Sequence, residues 1–140
     1  MTAMDDNTLS EIMQNARLIA AVGVSGDPDR ASYEVAAYQQ SQGYKVVPVN
    51  PREDSILGHK ALASIEDVTE PIDIVNIFNH GEAADQAIAA AVRSGAKVLW
   101  LQPGVHRPAT EAEARFAGMT VVTDRCFRRE HQRLLADKPM

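Results

Sequence analysis

The chain has a single cysteine, Cys126, in 140 residues. It therefore forms no internal disulfide and has no second thiol for a cysteine-based zinc site, a usage that suits a reducing cytosol. Basic residues are also in deficit: 14 Lys and Arg stand against 19 Asp and Glu, for a formal charge of −5. That balance argues against a broad cationic face for nucleic acid, so any phosphate binding has to be local. No apolar run is long enough to span a bilayer. The opening Met1-Thr2-Ala3-Met4-Asp5-Asp6-Asn7 lacks the basic and apolar regions of a secretion signal. Also missing are a Gly-x-Ser-x-Gly elbow, a P-loop and a recognisable pair of catalytic carboxylates. The histidines, His59, His80, His106 and His131, are too scattered to match a metal-ligand spacing. The expectation is a soluble cytoplasmic protein with no nucleic-acid or membrane partner, no metal site and no visible catalytic equipment. A protein partner is not legible.

What is present is 45% hydrophobic content, enough for one sizeable core, so residues 1–140 are read as a single domain. Residues 1–16 hold a leading helix capped by Asn7 or Thr8, with Leu9, Ile12, Met13 and Ala16 on one apolar stripe. Five strand-like runs follow, at 18–22, 45–48, 72–78, 97–101 and 119–122. They are mostly apolar rather than alternating, as strands covered on both faces are. Helical patterns at 32–42, 82–93 and 110–117 lie between them, with Gly43, Gly95 and Gly118 at the left-handed stop positions. Residues 64–68 suit a turn or two of helix, and a closing helix runs from Cys126 to about Leu135, with the last few residues frayed. Strand and helix in alternation give an α/β fold: a doubly wound, parallel five-stranded sheet, Rossmann-like, with helices on both faces. Trp100, Phe116 and Phe127 are read as core, and His131 as lying on the wet face of the last helix.

Ligands of such sheets sit beyond the carboxyl ends of the strands. The first of those ends is Leu18-Ile19-Ala20-Ala21-Val22 running into Gly23-Val24-Ser25-Gly26 and then into a helix at Ser32-Tyr33. A helix N-terminus offers unpaired amides and partial positive charge to an anion. As a dinucleotide fingerprint the turn is poor, since Pro28 stands where a third glycine belongs. At the second strand end, Val49-Asn50-Pro51-Arg52 carries no acid for an NAD ribose. Arg52 instead offers a charged fork to a ribose phosphate, as in NADP or coenzyme A, and Arg30 can meet a pyrophosphate. Asp27, Asp29 and Glu53 crowd the same loops and temper the field.

These stretches resemble the small stand-alone CoA-binding proteins, which are similar to the N-terminal CoA-binding domain of the succinyl-CoA synthetase α subunit. The resemblance is carried by Gly23-Val24-Ser25, Pro28-Asp29-Arg30-Ala31-Ser32-Tyr33, Gly43 through Pro51, Ile56-Leu57-Gly58, Gly95 through Gln102, Gly104-Val105 and Asp124-Arg125-Cys126. It implies a Rossmann-like domain binding coenzyme A or an acyl-CoA. By that resemblance Gly23, Val24 and Ser25 approach the phosphates, Arg30 and Ser32 contact them, and Asn50, Pro51 and Arg52 cradle the adenosine side. Phe78 and Gln102 then line the pantetheine path, with His80 projecting from the third loop. Two departures from the family pattern are Asn79-His80, where basic residues are usual, and Pro103, where leucine is usual.

Plainer readings stand beside these. The first turn can be a strand-to-helix connection that binds nothing, with Ser32 a helix N-cap, and Arg52 alone can be a solvated loop charge. Cys126 is either a nucleophile with positive charge beside it, from Arg125 and the next helix start, or a small, partly buried residue. The leading reading is non-catalytic binding of coenzyme A or acyl-CoA. The alternatives are an NADP-type sensor or enzyme subunit, and an acyl-transfer enzyme using Cys126.

Overall fold

In the computed structural model, which describes residues 4–136, five strands form one parallel sheet in the order β2-β1-β5-β6-β7. The elements in chain order are α1 (Asp6–Asn15), β1 (Leu18–Val22), α2 (Ala31–Ser41), β2 (Lys45–Val49), β3 (Ser55–Ile56) and β4 (His59–Lys60). A 3₁₀ turn (Ile65–Asp67), β5 (Ile74–Ile77), α3 (Gly81–Ser94), β6 (Val98–Leu101), α4 (Pro108–Phe116), β7 (Thr120–Val122) and α5 (Phe127–His131) follow, and α5 continues as a π-helical stretch (Gln132–Ala136). The chain moves outward from β1 to β2, then crosses back to lay β5 on the other side of β1. That reversal creates a switch point between the ends of β1 and β5, where open sheets bind ligands. The doubly wound parallel fold read from the sequence is the fold observed.

Strand alternation sorts the core into two layers. Ile19, Ile74, Val98, Trp100 and Val122 pack against Leu9 and Met13 of α1, Val35 of α2 and Phe127 of α5. The intervening Ala20, Val22, Val75, Ile77, Leu99 and Leu101 pack against Ala84, Ala87, Ile88 and Ala91 of α3 and Ala114 of α4. The alanine-rich face of α3 brings its backbone close to the sheet. Gly95 ends α3 in the left-handed conformation, at φ 78°, the stop that its lack of a Cβ permits.

Several local expectations fail for identifiable reasons. The cap of α1 is Asp5, not Asn7 or Thr8: its carboxylate accepts from the Thr8 amide at 2.7 Å, which starts the helix two or three residues earlier. Ser32 is not the cap of α2; it lies inside the helix, and its Oγ accepts from the Ser25 amide at 2.9 Å. The hairpin β3–β4 was not expected. Its two-residue turn places Leu57 and Gly58 at positive φ, as a type I′ turn requires, and its two-residue strands are too short for period-two patterning to show. Phe116 ends α4 and is 95% exposed, so it is not core. The expected fraying falls partly outside the described residues.

His131 departs furthest from its reading. It is buried, shares a 2.7 Å hydrogen bond between Nδ1 and the Tyr38 hydroxyl, and stacks on Phe127. Burial disfavours the charged ring and holds its pKa below the ordinary 6.5. The unfolded chain thus binds the proton more readily than the folded one. Stability should be full above pH 6.5, decline as the pH falls through that value, and level off below the folded-state pKa. Urea midpoints between about pH 5 and 8 should show that slope in the native sequence and a flatter one in His131→Phe.

Candidate functional site

Two cavities open at the carboxyl edge of the sheet, and both reach Gly23. The first, about 450 Å³, lies on the α2 and α5 side and is lined by Ser25, Arg30, Ser32, Phe78, His80 and Gln102, with Cys126 and Arg129 at α5. The second, about 540 Å³, lies on the α3 side and takes in Asn50, Pro51, Arg52 and Asn79. The sheet topology explains the arrangement. Gly23 follows β1 and Phe78-Asn79 follows β5, so the two strands flanking the switch point deliver the residues between the cavities. Of the residues singled out in the sequence, Val24 alone lines neither cavity. It is fully buried, and its carbonyl accepts from Asn50 Nδ2 at 2.9 Å.

Gly23 has a strict reason to be glycine. Its φ is +81°, and a Cβ there would lie 2.5–2.7 Å from the Asn79 carboxamide. Asn79 therefore closes over Gly23 at the junction of the cavities, and its Oδ1 is buried without a hydrogen-bond partner among the described residues. Side chains fix the rest of the turn. The Ser25 amide donates to Ser32 Oγ, Gly26 to Glu53 Oε2 at 3.2 Å, and Asp27 to Ser25 Oγ at 3.0 Å. The Gly23 amide is paired with the Val49 carbonyl. The turn's own amides are thus largely occupied, and the donors left for an anion are those of the first turn of α2, which no side chain caps. Asn50 is spent similarly, since its Oδ1 accepts from the Arg52 amide at 2.9 Å. That contact fixes the loop carrying Arg52.

The net negative charge is distributed so that cations survive here. Among the described residues Arg93, Arg107, Arg125, Arg128 and Arg133 each pair with a carboxylate, whereas Arg17, Arg30, Arg52, Arg115 and Arg129 show no such pair. Three of these five line the cavities, Arg30 and Arg129 in the first and Arg52 in the second. Guanidinium groups left unpaired at a concave site keep their full affinity for phosphate or carboxylate. Arg129 was missed in the sequence. It stands three residues after Cys126 at the start of α5, and that helical spacing was the available signal.

The deep wall of the first cavity is polar. Gln102 is 6% exposed, and its Nε2 donates to Asn76 Oδ1 at 2.9 Å; its own carboxamide oxygen accepts from no group among the described residues. Cys126 is half-buried at the N-cap position of α5, and its thiol makes no capping bond. The loop bearing it is held from beneath, because buried Trp100 donates from Nε1 to the Arg125 carbonyl at 2.8 Å. The Arg125 guanidinium does not serve the thiol as expected. It is engaged with Glu130 Oε1 at 2.9 Å and the Met4 carbonyl at 3.1 Å. His80 lies beside Gly104, with Cε1 3.6 Å from where a Cβ there would sit. Among the described residues no three His, Cys, Asp or Glu side chains converge to hold a metal, and no helix is long and apolar enough to cross a membrane.

Several known proteins are similar to this chain in sequence or in fold. The Bacillus subtilis (strain 168) protein YneT, itself uncharacterized, is 37% identical over 123 residues, 88% of this chain and 91% of YneT. A hypothetical protein of Pyrococcus horikoshii OT3 superposes with a TM-score of 0.93 at 34% identity, covering 96% of this chain and 94% of that one. The alpha subunit of the ADP-forming acetate–CoA ligase II of Pyrococcus furiosus is 34% identical over 84 residues, which are 59% of this chain but 18% of that subunit. The CoA binding domain model matches residues 17–132, which hold the whole parallel sheet and every α-helix except α1, and the chain belongs to that family.

Proposed function

We propose that this protein binds coenzyme A or an acyl-CoA across both cavities, without catalysing a reaction of its own. The adenosine and its ribose phosphate occupy the second cavity, against Asn50-Pro51 and the Arg52 guanidinium. The diphosphate lies over Gly23, beside Arg30, Ser32 and the uncapped start of α2. The pantetheine arm runs through the first cavity past Phe78, His80 and Gln102. One observation carries the reading: two cavities meet at a glycine, with unpaired arginine in each. A long ligand with phosphates at separate points uses that layout, and a small anion does not. The matching alpha subunit of an acetate–CoA ligase supports the same ligand class.

Calorimetric titration with coenzyme A and its dephospho form tests the assignment of Arg52. Removing a charged hydrogen bond worth about 1.5–3 kcal/mol should weaken coenzyme A binding by about 10- to 100-fold in Arg52→Ala. Binding of the dephospho form should be unchanged by the same substitution. Equal affinity of the native protein for the two ligands would remove the role given to Arg52. An NADPH fluorescence signal that coenzyme A fails to displace would favour a nicotinamide nucleotide instead.

A further inference from the structure

We infer that Asn79 is a phosphate-binding residue, its carboxamide donating from Nδ2 to the diphosphate where the ligand crosses from one cavity to the other. The inference rests on the proposed coenzyme A reading and deepens it, since that reading leaves the crossing point short of donors. Both cavities reach Gly23, so a diphosphate joining them lies over this residue. The turn itself has little to give it. The Gly23 amide is taken by the Val49 carbonyl, and the amides of Ser25, Gly26 and Asp27 are taken by the side chains of Ser32, Glu53 and Ser25. Arg30 and Ser32 serve the first cavity and Arg52 the second. Asn79 stands where they meet. It lines the second cavity and covers the shared glycine so closely that Oδ1 and Nδ2 would lie 2.5 and 2.7 Å from a Cβ built there.

The carboxamide is free to take up this contact. Its Oδ1 is buried with no hydrogen-bond partner, and its Nδ2 donates to no group among the described residues. An acceptor buried without a partner is a costly arrangement for an amide, and no bond holds the group to it. An ionised diphosphate offers acceptors only, so it selects Nδ2, the end that carries two hydrogens. Hydrogen bonds to charged oxygen are the stronger kind. The amide has no charge of its own, so it adds direction to the attraction that Arg30 and Arg52 supply.

Calorimetry on the native full-length protein, Asn79→Ala and Asn79→Asp tests the role with two ligands. One is coenzyme A; the other is adenosine 3′-phosphate, which keeps the ribose phosphate and lacks the diphosphate. Asn79→Ala should weaken coenzyme A binding about tenfold, as expected for the loss of a hydrogen bond to a charged group. Asn79→Asp keeps the size of the side chain but turns the donor into a carboxylate facing the diphosphate, and should weaken binding by about a further tenfold or more. Adenosine 3′-phosphate should bind all three proteins alike. A side chain that only obstructs the passage gives a different order, with Asn79→Ala the tightest binder and Asn79→Asp equal to the native protein. If the native protein binds coenzyme A and both variants bind it as tightly or more tightly, the donor role is wrong and the binding proposal stands. The donor role is equally wrong if adenosine 3′-phosphate loses as much affinity as coenzyme A does. If the native protein does not bind coenzyme A, both fall.

Discussion

Trp100→Ala should lower the free energy of unfolding by about 3–5 kcal/mol, the range found when a large buried aromatic is deleted. Trp100 is fully buried at the centre of β6, in the layer formed by α1, α2 and α5, and its ring lies 4.9 Å from that of Phe127. A domain of this size holds only about 5–15 kcal/mol in total, so the variant should sit near the edge of folding. Two effects add. The cavity forfeits contacts on both sides of the ring, and the Arg125 carbonyl loses the donor that fixes it at 2.8 Å. Trp100→Phe separates them, because it keeps most of the ring but removes the N–H. Its cost should be nearer about 1–2 kcal/mol, with an unpaired part-buried carbonyl as the main term. Urea denaturation followed by circular dichroism measures both, since the only tryptophan is lost. A cost for Trp100→Ala of less than about 1 kcal/mol would mean that the site collapses freely and that the ring does not organise this layer.

How much of this was legible beforehand depends on the range of the interaction that decides each feature. The strand runs were readable because strands buried on both faces need nothing but apolar residues, and glycines mark where the intervening helices stop. The position of the crevice followed from the topology, and ten of the eleven site residues named in the sequence line one of its two cavities. Features decided by tertiary partners were not readable. His131 sits in a charged stretch that looks solvated, and Tyr38, 93 positions away in sequence, is what lets it be buried. Phe116 looks like core by composition but falls at the end of a short helix, past the sheet. Ser32 sits near a helix start, where a cap is the default reading; the Ser25 amide claims it instead. The electrostatics of the crevice were partly hidden for the same reason. Only the pairing pattern separates Arg30, Arg52 and Arg129 from the arginines held by carboxylates.

Gly23→Ala should weaken binding of coenzyme A by about 100-fold or more while leaving a folded protein. A methyl at this position meets two obstacles. The residue holds φ at +81°, where an alanine loses about 1–2 kcal/mol relative to its ordinary conformations. The added carbon would also overlap the Asn79 carboxamide, whose atoms would lie 2.5–2.7 Å away. Asn79 can give way, since its Oδ1 has no hydrogen bond to break among the described residues, so the stability loss should stay near about 2 kcal/mol. The rotated carboxamide and the new methyl then occupy the passage between the two cavities, where the diphosphate is placed. A ligand confined to one cavity loses the contacts of the other, and its affinity should fall by about 100-fold or more, the equivalent of two charged hydrogen bonds. The double variant Gly23→Ala with Asn79→Ala relieves the overlap but keeps the methyl and the strained backbone. It should recover part of the stability and little of the binding. Thermal melts and calorimetry on the same preparations separate the two effects. Native-like affinity in the single variant would mean that the ligand does not cross Gly23 and that the two cavities do not form one site.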